Sequence, residues 1–135
     1  MLEEHLHAEM EANQLEWEQE ASELTFEDYQ IEAMSYRMPS ANEVYALLNL
    51  AAEVGELVGK VAKHIRDGAP NSLNDEDYAE MYTEQLAKEL GDVLWQCAAI
   101  ANDLGISLGQ VALSNLDKLY DRKQRDKIKG SGDER

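Results

Sequence analysis

Apolar residues along this chain recur at steps of three and four, never in sustained alternation, so the pattern predicts helices throughout. Thr25, with Asp28 three residues on, forms a variant capping box and opens a helix that should run to about Arg37, stopping before Met38-Pro39. Ser40 or Asn42 then caps a longer helix carrying Val44, Leu47, Leu48, Ala51, Val54, Leu57, Val58, Val61 and Ile65. The stretch "RDGAPNSLNDED" holds Gly68, Pro70 and clustered polar residues, and it reads as a loop. A third helix follows from about Asp77 to Leu104, with Leu86, Leu90, Val93, Leu94, Cys97, Ile100 and Ala101 as its apolar positions. "GIS" breaks it, and Ser107 with Gln110 is the capping box of a fourth helix reaching about Asp121. Four amphipathic helices with short connections define an all-α, four-helix-bundle-like domain over residues 25–128. Residues 1–24 form an acidic arm, partly helical or flexible, and residues 129–135 a tail that is flexible by composition.

Composition narrows what such a bundle can bind. At 135 residues the chain is one domain, and a domain of this size buries a limited share of its surface, so association with further copies is expected. The formal charge is −16, and no Lys or Arg precedes Arg37. That acidity opposes binding to nucleic acid polymers or an anionic membrane. Cations gather instead near the end, at Lys118, Arg122, Lys123, Arg125, Lys127 and Lys129, where they suit a small phosphorylated ligand. No run approaches a membrane span and no charged-then-apolar leader opens the chain. The single cysteine, Cys97, lies in an apolar helical pattern and reads as a core residue. A cytoplasmic setting follows, in a bacterium or in a host cell if the source is viral. His5 and His7 would point apart on a helix, with no third ligand evident.

One feature does not serve stability. Glu53 and Glu56 sit inside the apolar stretch "LAAEVGELVGKVAKHI", three residues apart and therefore on one helical face, with Asn49 one turn before and Lys60 one turn after. Glu89 and Asp92 repeat the arrangement in "LAKELGDVLWQCAAIA". A single pair would be an ordinary solvated edge. Two pairs on the two most core-like helices bring four carboxylates together if those helices face each other, and a divalent cation is then the usual remedy. Di-iron bundles need a histidine in the motif, and neither motif has one; His64 reads as a rim residue. An all-oxygen set favours Mg²⁺, with Mn²⁺ as a substitute, and so phosphoryl or pyrophosphoryl chemistry. Asn115, Lys118 and Arg122 share one face of the fourth helix, a donor and two cations suited to phosphate oxygens.

"AEVGEL", then "KELGDVLW", then "SNLDKLYDR" with "GSGD" in the tail resemble the MazG-type, all-alpha nucleoside triphosphate pyrophosphohydrolases over roughly residues 25–135. Dimeric dUTPases and phosphoribosyl-ATP pyrophosphatases share that superfamily. The resemblance implies hydrolysis of a (d)NTP between the α and β phosphates, giving (d)NMP and pyrophosphate, with more than one Mg²⁺ per site. It implies Glu53, Glu56, Glu89 and Asp92 as metal ligands, Glu53 or Glu56 as the general base, and Asn115, Lys118 and Arg122 on phosphate. It also implies a homodimer or homotetramer. Two departures stand out: Ala52 replaces a leading Glu of the first motif, and the segment between Glu56 and Glu89 is long. Gln96 stands where relatives often carry an aromatic residue, so its amide is a candidate for a base edge, with Trp95 as the stacking surface. The competing reading is a non-enzymatic acidic interaction module, antitoxin-like or regulatory, that pairs with a basic partner.

Overall fold

The computed structural model describes residues 2–129, the side chains of residues 2–9 and Glu43 excepted, so the His5 and His7 side chains and the tail beyond Lys129 lie outside the described residues. It is built of five helices and no described strand: α1 (Leu2–Glu23), α2 (Phe26–Ser35), α3 (Glu43–Arg66), α4 (Glu76–Asp103) and α5 (Leu108–Gln124). The all-α class and the four helices after residue 25 agree with the periodicity. The acidic arm is the fifth, a regular helix that, among the described residues, packs on none of the others. Its side chains from Met10 to Glu23 are all exposed.

Local chemistry sets the boundaries. Both capping boxes form: the Asp28 backbone N–H donates to Thr25 Oγ1 at 3.1 Å, and that of Gln110 to Ser107 Oγ at 3.0 Å. Asn42, not Ser40, caps α3, accepting from the Tyr45 N–H. Asp75 caps α4 by accepting from the N–H groups of Asp77 and Tyr78, slightly earlier than the apolar pattern alone suggests. At the far ends, Gly68 and Gly105 adopt positive φ (100° and 69°). Each lets the chain turn back so that the next N–H reaches three residues into the helix: Ala69 to His64 O, and Ile106 to Ala101 O.

The main packing interface runs between α3 and α4, while α2 and α5 pack on α4 and on each other. Small residues allow the close approach: Ala33, Ala46, Ala98, Ala99 and Ala101 are buried, and Leu108, Tyr29, Met34 and Cys97 fill in around Ala98 and Ala101. Burial pushes the Cys97 thiol pKa up, which keeps it an inert core group. At the opposite end of the α3–α4 pair Tyr78 is 2% exposed and its hydroxyl lies 2.9 Å from His64 Nδ1. His64 also stacks on Tyr82 with ring centroids 3.7 Å apart. It is therefore a half-buried packing residue and not the rim residue its position suggests.

One expectation fails within a single chain. The apolar stripe of α3 is not covered: Val44, Leu47, Leu48 and Val58 are 63%, 61%, 70% and 60% exposed. The stripe is wider than α4 can shield, and α5 packs on the other side of α4 without reaching α3. Beside it, Leu57, Val61, Leu86 and Leu90 line an apolar groove of about 670 Å³.

Candidate functional site

Glu53 and Glu56 project from the middle of α3, and Glu89 from the facing turn of α4, which is where helical spacing and the long α3–α4 contact together must bring them. One carboxylate oxygen from each lies within 4.8 Å of the other two. Glu89 is buried, at 8% exposure, Glu53 half-buried and Glu56 exposed. Two neighbours on α3 hold the cluster. Asn49 Nδ2 donates to Glu53 Oε1 at 2.8 Å, and Lys60 Nζ pairs with Glu89 Oε1 at 2.5 Å.

Three hard oxygen donors this close are a set that Mg²⁺ or Mn²⁺ accepts, since Mg–O bonds of about 2.0–2.1 Å span such a gap after small side-chain adjustments. The donor chemistry fits; the absence of nitrogen or sulfur ligands gives it no preference for zinc or copper.

Asp92 stands apart from this group. Three residues beyond Glu89, it is turned about 60° round the helix toward α2. There it lines a second hollow with Leu24, Tyr29 and Trp95. Burial, with smaller contributions from Cys97 and Asp92 nearby, pushes the Tyr29 hydroxyl pKa up.

A cleft of about 340 Å³ adjoins the carboxylates, and Asn49 and Glu53 form part of its wall. Trp95, Gln96, Tyr36 and Tyr45 line the rest, so both residues singled out for a base do face it. Gln96 is buried at 5% exposure, and the Trp95 indole N–H donates to Ala33 O at 3.1 Å, which fixes the ring between α2 and α4. Arg37, which helical spacing does not single out, shapes the mouth. Its guanidinium grips Asp103 with two bonds of 2.6 and 2.8 Å and donates from Nε to Ala41 O at 2.6 Å, tying the α2–α3 connection to the end of α4. The only hint in the sequence is that Arg37 is the first cation of the chain, just before a proline turn.

The basic face of α5 is elsewhere. Asn115 and Lys118 line a separate groove with Gln110 and Ser114, and Arg122 is buried at 5% exposure. Because α5 does not pack on α3, one chain does not bring these three residues to the Glu53–Glu56–Glu89 cluster.

Three convergent carboxylates on a helical pair beside a ring-lined cleft agree with the family that the sequence motifs resemble. The family model for the MazG nucleotide pyrophosphohydrolase domain matches residues 42–125, and this chain belongs to that family. It is also similar to the "Gene 37 protein" of Mycobacterium phage L5, 41% identical over 91 residues, which cover 67% of this chain and 75% of that protein. No solved structure matches. No described helix is long and apolar enough to cross a membrane.

Proposed function

We propose that the protein is a Mg²⁺-dependent nucleoside triphosphate pyrophosphohydrolase, converting a (d)NTP and water to a (d)NMP and pyrophosphate. The observation that carries this reading is the convergence of Glu53, Glu56 and Glu89 from two helices beside the cleft of Tyr36, Tyr45, Trp95 and Gln96. In this reading the base and sugar occupy the cleft, with Trp95 as a stacking surface and the Gln96 amide on a base edge. The triphosphate then extends along α3 to the carboxylates. Mg²⁺ held there, with Mn²⁺ as a substitute and more than one ion per site, supplies charge neutralisation and a water of lowered pKa. Glu53 or Glu56 accepts the proton of the water that attacks the α-phosphorus. Asp92 is the fourth ligand, reached by side-chain rotation across the flank of α4.

Asn115, Lys118 and Arg122 bind the leaving pyrophosphate from a second copy of the chain. The exposed apolar stripe of α3 supports a homodimer or homotetramer, because association would cover it. A relative in a phage fits work on nucleotides in a host cytoplasm.

The decisive experiment is a panel of canonical and modified (d)NTPs with Mg²⁺, read as pyrophosphate release. Wild type should turn over at least one of them, and Glu53→Ala or Glu89→Ala should lower kcat by at least about a thousandfold while the helix content is unchanged. Full turnover by either variant would sink the assignment. No turnover on any nucleotide would favour an acidic binding module instead.

A further inference from the structure

Lys60 lies one helical turn beyond Glu56 and two beyond Glu53, on the same face of α3. Its side chain is partly exposed, and its ammonium is engaged across the helix pair. It crosses to α4 and pairs with Glu89, the most buried of the three carboxylates, at 2.5 Å. No second lysine or arginine has a described ion pair with Glu53, Glu56 or Glu89. Three carboxylates within 4.8 Å of one another would repel strongly in a half-buried site, and Lys60 reduces their summed charge from −3 to −2.

We propose that Lys60 is the resident counter-cation of this cluster, which a divalent ion displaces when the site loads. The proposal rests on the metal-site reading above and adds to it a role for a residue outside the carboxylate motifs. Two consequences follow from electrostatics alone. First, the metal-free protein keeps Glu89 folded in place because a cation is already there. Second, an incoming divalent ion competes with the ammonium for the same oxygens and binds more weakly than the carboxylates alone would allow. The displaced ammonium remains tethered to α3 beside the site. A bound triphosphate offers it new oxygens, so nucleotide and metal should each tighten the other's binding through Lys60.

The test is Mn²⁺ binding, measured by electron paramagnetic resonance, with and without a non-hydrolysable nucleoside triphosphate analogue. Thermal melts of the metal-free protein run alongside. Lys60→Met should bind Mn²⁺ alone about tenfold more tightly than wild type. It should also melt at a lower temperature without metal and lose most of the mutual tightening with the analogue. Lys60→Arg should keep all three properties near wild type. Lys63→Met, which removes an exposed charge one turn away, should leave Mn²⁺ affinity within about twofold of wild type. If Lys60→Met does not fold without metal yet folds on adding Mn²⁺, the counter-cation role is supported. If wild type binds Mn²⁺ and Lys60→Met binds it no more tightly, the proposal is overturned and the metal site stands. If wild type binds no Mn²⁺ at all, both fail together.

Discussion

The grip of Arg37 on Asp103 shows how much a single side chain can position. Both partners are largely shielded, at 14% and 16% side-chain exposure, and the paired geometry is of the strong, two-bond kind. Arg37 beside it holds the Asp103 carboxyl pKa below the usual range. A carboxylate with a depressed folded-state pKa contributes stability that is complete above its unfolded value, near 3.9, and is lost as pH falls through the folded value. Asp103→Asn should therefore cost about 1–2 kcal/mol at neutral pH and progressively less below about pH 4, which urea midpoints across an acid series would show. Because the same guanidinium ties down the α2–α3 connection, Asp103→Asn should also raise KM more than it lowers kcat in the nucleotide assay. At this scale the sequence was informative where spacing alone decides geometry. Glu53 and Glu56 share a face in any α-helix, and so do Asn49 and Lys60. Arg37 and Asp103 are 66 residues apart, and no local rule pairs them.

Between elements, the same division holds with a different cause. The helix starts at Thr25 and Ser107 were legible, and that of α3 to within Ser40 or Asn42, because caps are local hydrogen bonds. Ser107→Ala should lower stability by about 1 kcal/mol, measurable as a shift in urea midpoint at unchanged slope. Which face of each helix meets which neighbour was not legible. Asp92 has the same motif position as Glu56, yet α4 turns it toward α2. Asn115 and Lys118 share one face of α5, yet α5 packs on α2 and α4 and not on α3. The clearest missed contact is Gln30. From α2 its amide clamps the α4–α5 turn, donating to Ile106 O at 3.1 Å and accepting from the Leu108 N–H at 2.6 Å. That N–H is one of the orphan donors at the start of α5, and it is buried. Gln30→Leu keeps the volume but strands the donor, so it should cost about 1–3 kcal/mol, more than Ser107→Ala in the same urea measurement. A lone glutamine in a helical pattern carries no sign of such a task.

For the molecule as a whole, the balance of charge and exposed apolar surface governs behaviour. With a formal charge of −16, self-repulsion opposes the compact state, so added salt should raise the melting temperature even without metal. Mg²⁺ should raise it further by binding the folded carboxylate cluster alone, with a gain that grows logarithmically with concentration. If copies associate through α3, the melting temperature should also rise with protein concentration, and polar substitution at Leu47 and Leu48 should remove that dependence. Analytical ultracentrifugation of the double variant would check the same point directly. The periodicity marked α3 and α4 as the two most core-like helices. It could not reveal that much of the α3 stripe finds no partner inside one chain, because counting apolar positions does not say how many helices there are to cover them.

The lack of described packing between α1 and the other helices gives the chain two different clocks. A helix of 22 residues with no described contact to another helix rests largely on its own marginal propensity, and helix–coil relaxation of such a segment takes about 0.1–1 μs. Its amides should exchange with deuterium almost as fast as those of a free peptide. The amides of α4 around Ala98 and Ala101 should wait for global unfolding. A brief pulse of a glutamate-specific protease should accordingly trim the chain back toward Thr25 and leave a fragment that melts where the full-length protein does.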